Sequence, residues 1–394
     1  MSSKLRPGDH GGRLRGAFGA LGVAASIVVA VLVLGALIPA LPVVGSFGSA
    51  VGRRPFEFAL TGLLVVLLSW MAWRSQTRRS AICGLATGSI TLLGALAVLG
   101  AQLGYAHSHG ADVGFADVVQ GGRPMPPPDR TVTFGTVQGE PLRAGIWLPR
   151  NDSGAARPAV VWIHGGGFVG GNRDEQRGIF RYLADHGYPV ISIDYRLAPP
   201  VRWRDASSDV VCAMSWLTEH GRGLGIDPGR LVLSGASAGG SLSLNAAYGS
   251  GEVPSSCGGP PPAPPLAVAG FYPAADLVGN WQDDGLYGYA RRVARAYLGG
   301  GPAEYPQRYA YASPIERVRP GLMPTLLVTG GNDHLILPER VSAVADRLRG
   351  NGNAVTYREF PFGYHAFDAG GIGAAFSRST MLDFLRAHAP IPGS

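Results

Sequence analysis

The chain has 394 residues, 46% of them hydrophobic, with three cysteines and a formal net charge of +7. That charge is local: nine of the 34 basic and two of the 27 acidic residues fall within residues 1–104, leaving 25 of each in the rest. A neutral remainder without a basic stripe excludes a nucleic-acid face, and no ligand-spaced cluster of Cys, His or carboxylates points to a resident metal or another cofactor.

Three apolar stretches dominate the start of the chain, at about 17–44, 56–73 and 81–105. Each has roughly the length of one bilayer span, none carries Lys or Arg, and Glu57 is the one acid among them. Residues 1–104 are therefore expected to form a membrane domain of three transmembrane helices in contact with lipid. Four cations (Lys4, Arg6, Arg13, Arg15) precede the first stretch, Arg53 and Arg54 follow it, and Arg74, Arg78 and Arg79 precede the third. The positive-inside rule then puts the N-terminus in the cytoplasm and everything after Tyr105 outside. A cleaved signal peptide is the alternative for the first stretch, because Ser46 to Ala50 offers small residues for cleavage. Residues 105–130 read as a Pro-rich linker ending in Pro124-Met125-Pro126-Pro127-Pro128, and its His107-x-His109 pair has no evident third metal ligand.

From residue 131 to 394 the pattern changes. Thr131 to Phe134 and Leu142 to Trp147 read as an antiparallel pair. Short apolar runs follow at Ala159 to Ile163, Pro189 to Ile193, Leu231 to Ser234, Leu266 to Phe271, Thr325 to Val328 and Ala354 to Phe360. Helical periods separate them at about 174–186, 206–220, 239–248 and 338–349, with a last one at about 377–388. Alternation of this kind predicts an α/β domain with a doubly wound, mostly parallel sheet. An insertion at about 273–320, with a helical pattern over 286–298, interrupts the rhythm and reads as a cap. Cys212 and Cys257 either pair, as an extracytoplasmic compartment permits, or remain separate thiols.

Two strings carry the chemistry. His164-Gly165-Gly166-Gly167-Phe168 follows one predicted strand, and Gly235-Ala236-Ser237-Ala238-Gly239-Gly240 joins a strand to a helix. The first has the form of an oxyanion loop and the second that of a nucleophile elbow, whose turn admits only small residues beside the serine. A serine at pH 7 needs a histidine base, and the base needs a carboxylate to fix its tautomer. In chain order Ser, Asp, His, the candidates are Asp333 and His365, each on a loop after one of the last predicted strands. His334 and His388 are weaker competitors, Asp368 is expected to brace the His365 loop, and Asp194 to Pro199 to brace the site from beneath. His164 is expected to hold the glycine loop rather than move protons.

The H-G-G-G loop, the G-x-S-A-G-G elbow and the Tyr195-Arg196-Leu197-Ala198-Pro199 segment resemble the α/β-hydrolases related to hormone-sensitive lipase, over about residues 131–390. The resemblance implies an α/β-hydrolase fold, Ser237 as nucleophile, Asp333 as orienting acid, His365 as general base, and the backbone amides of Gly166, Gly167 and Ala238 as oxyanion hole. It also implies a carboxylesterase or lipase acting on small-molecule or lipid esters without a cofactor. Ala236 stands where many members carry Asp, and Pro200 where L-A-P-E would supply Glu. The family's N-terminal cap helices are reduced to 105–130, so the expected mouth lies near the bilayer and accepts lipophilic esters. The same machinery would serve an acyltransferase or an amidase. A non-catalytic binding protein on this fold typically loses a triad member, and here all three candidates are present.

Overall fold

The computed structural model describes residues 10–41, 43–74, 78–119, 125–150, 155–284 and 288–392. It divides into two compact units, Met1–Gly104 and Tyr105–Ser394.

The first unit is helical: α1 (His10–Leu37), the short α2 (Val44–Phe47) and α3 (Ser49–Arg53), then α4 (Pro55–Arg74) and α5 (Arg78–Ser108). Helix α4 and α5 are each long and apolar enough to cross a bilayer, whereas the apolar part of α1 among the described residues is Leu21–Leu37. The first expected span, 17–44, thus ends seven residues early. Pro39 accounts for this, since proline has no N–H to donate and disfavours helical backbone in the residue before it. Small and polar residues join the helices. A Cβ on Gly62 of α4 would lie 2.5 Å from the backbone nitrogen of Leu92 in α5, and the hydroxyl of Thr87 donates to that of Ser26 at 2.9 Å.

The larger unit is built on an eight-stranded sheet: β1 (Arg130–Val137), β2 (Glu140–Trp147), β3 (Arg157–Ile163), β4 (Val190–Ile193), β5 (Ile226–Ala236), β6 (Ala267–Phe271), β7 (Thr325–Gly330) and β8 (Val355–Phe360). Their spatial order is β1-β2-β4-β3-β5-β6-β7-β8. Strands β1 and β2 pair antiparallel, β2 runs antiparallel to β4, and the rest are parallel. Between them lie α6 (Phe115–Val118), α7 (Arg177–Asp185), α8 (Asp205–His220), α9 (Ala238–Tyr248), α13 (Pro338–Gly350) and α14 (Gly371–His388), and the 273–320 insertion forms α10 (Leu277–Asp283), α11 (Tyr289–Leu298) and α12 (Pro306–Ala312). Val190–Ile193, Ala267–Phe271 and Thr325–Gly330 are buried at every position. Strands covered on both faces lose the alternating polar pattern, which is why they read as continuous apolar runs.

Strands β3 and β5 are spatial neighbours although β4 intervenes in the chain, so the connections diverge there. Ligand sites in open α/β sheets form at such a switch point, beyond the strand carboxyl ends. The register Ile163↔Gly235 sets the glycine loop beside the serine elbow.

Much of the expected linker is packed onto the larger unit. Arg378 of α14 grips Asp117 of α6 with two bonds of 3.1 and 3.0 Å, the Tyr105 ring lies 5.4 Å from that of Phe376, and Trp147 donates its indole N–H to the Pro126 carbonyl. Composition hid these contacts because the partners come from distant segments. The cysteine alternatives also resolve: Cys212 of α8 and Cys257 form a disulfide with Cα atoms 5.5 Å apart.

Candidate active site

The elbow begins where β5 ends. Ser237 adopts φ 55° and ψ −120° between that strand and α9, a backbone region that ordinary residues enter only when the surroundings compel it. Its N–H donates to the Phe271 carbonyl at 2.8 Å, and its own carbonyl accepts from Ser241 at 3.0 Å. A Cβ on Gly239 would collide with the carbonyls of Ile163 and His164, and one on Gly235 would lie 2.5 Å from the Gly239 carbonyl oxygen. The glycines therefore let helix α9 close against β3, which raises the serine clear of the sheet.

Histidine and carboxylate arrive from the next strands. Gly330 and Phe360 lie opposite each other at the ends of β7 and β8. Beyond them the two loops are tied together: Gly331 N–H donates to Phe360 O at 2.9 Å and Asn332 N–H to Gly363 O at 2.8 Å. His365 Nε2 then lies 2.9 Å from Ser237 Oγ, and His365 Nδ1 lies 2.8 Å from Asp333 Oδ2. The other carboxylate oxygen, Oδ1, accepts from the N–H groups of Leu335 and Ile336 at 2.8 and 3.0 Å. With Asp333 1% exposed and both oxygens engaged, the tautomer that fits has the proton on Nδ1 and leaves Nε2 able to accept from the serine.

The glycine loop completes the site. Gly166 and Gly167 take φ values of 104° and 62°, and a Cβ on Gly166 would meet the Gly170 carbonyl, so both positions favour glycine. Among the described residues no acceptor takes the N–H of Gly166, Gly167 or Ala238. His164 is buried, and its Nδ1 lies 2.7 Å from the Gly165 carbonyl. Burial pushes its pKa below the usual histidine value, so the ring stays neutral and structural. Tyr195 stacks on it at 4.4 Å. Ala198 N–H donates to the Phe168 carbonyl, while Arg196 holds buried Asp209 with several bonds, the shortest 2.8 Å. The 194–199 segment thus braces the glycine loop.

The remaining candidates separate from this cluster. His334 packs near Tyr364, His388 near Phe384, and His109 bonds back to the Tyr105 carbonyl. No cluster of three metal-binding side chains occurs among the described residues. Asp368 does reach the histidine loop, through a residue that the sequence reading missed. Tyr272, just past β6, sets its ring edge-on to His365 at 4.8 Å and donates its hydroxyl to Asp368 at 2.6 Å. Its place at a strand carboxyl end was the available signal.

An apolar slot of about 40 Å³ opens at Ser237. Gly167 and Ala238 form one side, and the insertion supplies Trp281 from α10 with Val293 and Tyr297 from α11. Tyr297 also stacks face to face on Phe168 at 4.0 Å. The insertion is thus a wall of the site, as a cap would be.

Residues 160–369 match the family described as alpha/beta hydrolase fold. Esterase LipC of Mycobacterium tuberculosis (strain ATCC 25618 / H37Rv) is 30% identical over 230 residues, which are 57% of this chain and 56% of that protein. Carboxylic ester hydrolase LipN of the same organism is 31% identical over 253 residues, 61% of this chain and 65% of that protein. The chain therefore spans less than two thirds of either relative. Among solved structures, the propionate-bound esterase Est2 of Thermogutta terrifontis superposes with a TM-score of 0.57 at 24% identity, covering 69% of this chain and 98% of that one. At that identity the likeness concerns the fold.

Proposed function

Because the chain belongs to the alpha/beta hydrolase fold family, we propose that it is a serine hydrolase of carboxylic esters, working through Ser237, His365 and Asp333. The observation that carries this reading is the relay from Ser237 Oγ through His365 to Asp333, with steps of 2.9 and 2.8 Å. Ser237 Oγ attacks the ester carbonyl as its proton passes to His365 Nε2. The carbonyl oxygen becomes an oxyanion facing the N–H groups of Gly166, Gly167 and Ala238, each such donor commonly worth about 3 kcal/mol in the transition state. His365 then protonates the alkoxy oxygen, the ester C–O bond breaks, and the alcohol departs. Water, deprotonated by the same imidazole, attacks the acyl-enzyme; the acyl C–Oγ bond breaks, His365 returns the proton to Ser237 Oγ, and the acid leaves. Relatives that bear the names of ester hydrolases support the bond type. The test is labelling by a fluorophosphonate together with a p-nitrophenyl acetate burst stoichiometric with enzyme, both lost in Ser237→Ala. A folded wild-type protein that shows neither would overturn the reading.

The chain is further proposed to be anchored in a membrane through its N-terminal helices, with the hydrolase unit on the extracytoplasmic side. The orientation requires three crossings, with the apolar part of α1, Leu21–Leu37, crossing as well as α4 and α5; support comes from the apolarity of these helices, from the four cations ahead of the first apolar stretch, and from the Cys212–Cys257 disulfide, which suits an oxidising compartment. Protease added to intact cells should remove the hydrolase unit; its full protection would reverse the orientation.

A further inference from the structure

Among the described residues that line the slot at Ser237, three carry a hydroxyl, and two of these are committed. Ser237 Oγ lies 2.9 Å from His365 Nε2, and Tyr297 donates to the Trp203 carbonyl at 3.3 Å. The third belongs to Tyr289 at the start of α11; it bonds to no described residue, and it is open rather than sealed in the core. Tyr289, Val293 and Tyr297 are spaced by four and so share one face of α11, the face that lines the slot. That face meets the oxyanion loop at Gly167, where a Cβ would lie 3.0 Å from Tyr289 Oη and 3.2 Å from Val293 Cγ1. With standard bond lengths, the phenol oxygen is therefore within about 5.5 Å of the Gly167 nitrogen. Two donors that converge on one oxyanion, each at about 2.7–3.1 Å, stand about 4–5 Å apart. The Tyr289 hydroxyl is thus placed to share an acceptor with the Gly167 N–H. Arg292 lies over the Tyr289 ring, its Cζ 5.3 Å from the centroid, and this cation–π contact helps to hold the ring in place.

We propose that Tyr289 is a further catalytic residue, a phenol carried by the cap that donates its O–H to the oxyanion formed at Ser237. The proposal rests on the reading of Ser237, His365 and Asp333 as an acyl-transfer triad. As Ser237 Oγ bonds to the ester carbon, the carbonyl π pair moves onto oxygen. That oxygen accepts hydrogen bonds from the N–H groups of Gly166, Gly167 and Ala238 and from Tyr289 Oη. The phenol keeps its proton throughout, so proton transfer remains with His365. Phe168, Ala274, Leu277, Leu335 and Ile336 make much of the surrounding lining apolar, and a hydrogen bond to developing charge is worth more there than in water. The three backbone donors come from loops at the sheet, whereas Tyr289 makes the insertion part of the catalytic apparatus as well as a wall. A tyrosine that only narrowed the slot would need its ring and not its hydroxyl, and that difference separates the two roles.

Tyr289→Phe removes the hydroxyl and keeps the ring, including its face toward Arg292. The full chain in detergent is assayed for kcat/KM on p-nitrophenyl acetate and for inhibition by a matched pair, phenethyl trifluoromethyl ketone and phenethyl methyl ketone. The trifluoromethyl ketone adds Ser237 Oγ and sets an oxyanion in the site, whereas the methyl ketone binds without that charge. Tyr289→Phe is expected to lose about tenfold or more both in kcat/KM and in affinity for the trifluoromethyl ketone, with affinity for the methyl ketone held within about twofold. A smaller loss on the ester or on the trifluoromethyl ketone overturns the assignment, as does an equal loss for the two ketones, which would mark a packing role. A trifluoromethyl ketone that binds the wild type no more tightly than the methyl ketone, together with no fluorophosphonate labelling, overturns the triad reading instead.

Discussion

Asp333→Asn alters the proposed relay at a single atom, and the geometry indicates how the side chain must sit. In the native protein Oδ1 accepts from the N–H groups of Leu335 and Ile336, and Oδ2 accepts from His365 Nδ1. Asparagine has only one acceptor oxygen. If it stays with the two backbone donors, its NH2 faces Nδ1, which must then carry the lone pair while Nε2 carries the proton. His365 can no longer accept from Ser237 Oγ. The opposite flip would leave two buried N–H donors facing an NH2, at about 1–3 kcal/mol each, so the first arrangement prevails. The wrong tautomer costs about 10⁴ in kcat where such a triad operates, roughly 5 kcal/mol in barrier height. KM should change little, because Asp333 does not line the substrate slot. The assay is the burst and steady-state rate of p-nitrophenyl acetate hydrolysis at pH 7, beside Asp368→Asn as a control in the same loop region. An Asp333→Asn enzyme within tenfold of wild type would refute the assignment of Asp333.

Three further outcomes follow from other parts of the structure. Gly239→Ala should lower stability by roughly 1–3 kcal/mol or more, because its Cβ meets the carbonyls of Ile163 and His164; denaturant unfolding would measure it, and an unchanged midpoint would contradict the close packing of α9 on β3. Replacing both Cys212 and Cys257 by Ala opens a crosslink between residues 45 apart in sequence and should cost about 2–4 kcal/mol, read as a lower Tm that no longer responds to reductant. Asp368 has its pKa raised, chiefly by burial. Its contribution is therefore most favourable below the unfolded value near 3.8 and declines as pH rises through the folded value. Asp368→Asn should accordingly gain stability relative to wild type between pH 4 and pH 7, and melting curves across that range showing no relative gain would exclude the effect.

Strands β3, β4, β6 and β7 were legible because burial on both faces leaves continuous apolar runs, and the elbow because Gly235, Ala236, Ala238 and Gly239 are the small residues that a serine turn needs. Asp333 and His365 could be named as candidates because loops after late strands are short and few. Helix α1 was overextended toward residue 44 because an apolar count ignores what Pro39 does to the backbone before it. The packing of 105–130 was missed because its partners, Phe376 and Arg378, lie more than 250 residues away.

Residue types and their local spacing thus determined the strand–helix alternation, the strained serine turn and the glycine loop, since each depends on backbone sterics within a few residues. Tertiary structure alone decided that Tyr272 meets His365, that Cys212 and Cys257 pair, and that α11 narrows the slot at Ser237. Those contacts are selected by how the crossovers fold back onto the sheet, and no local preference encodes which distant side chain will fill a given space.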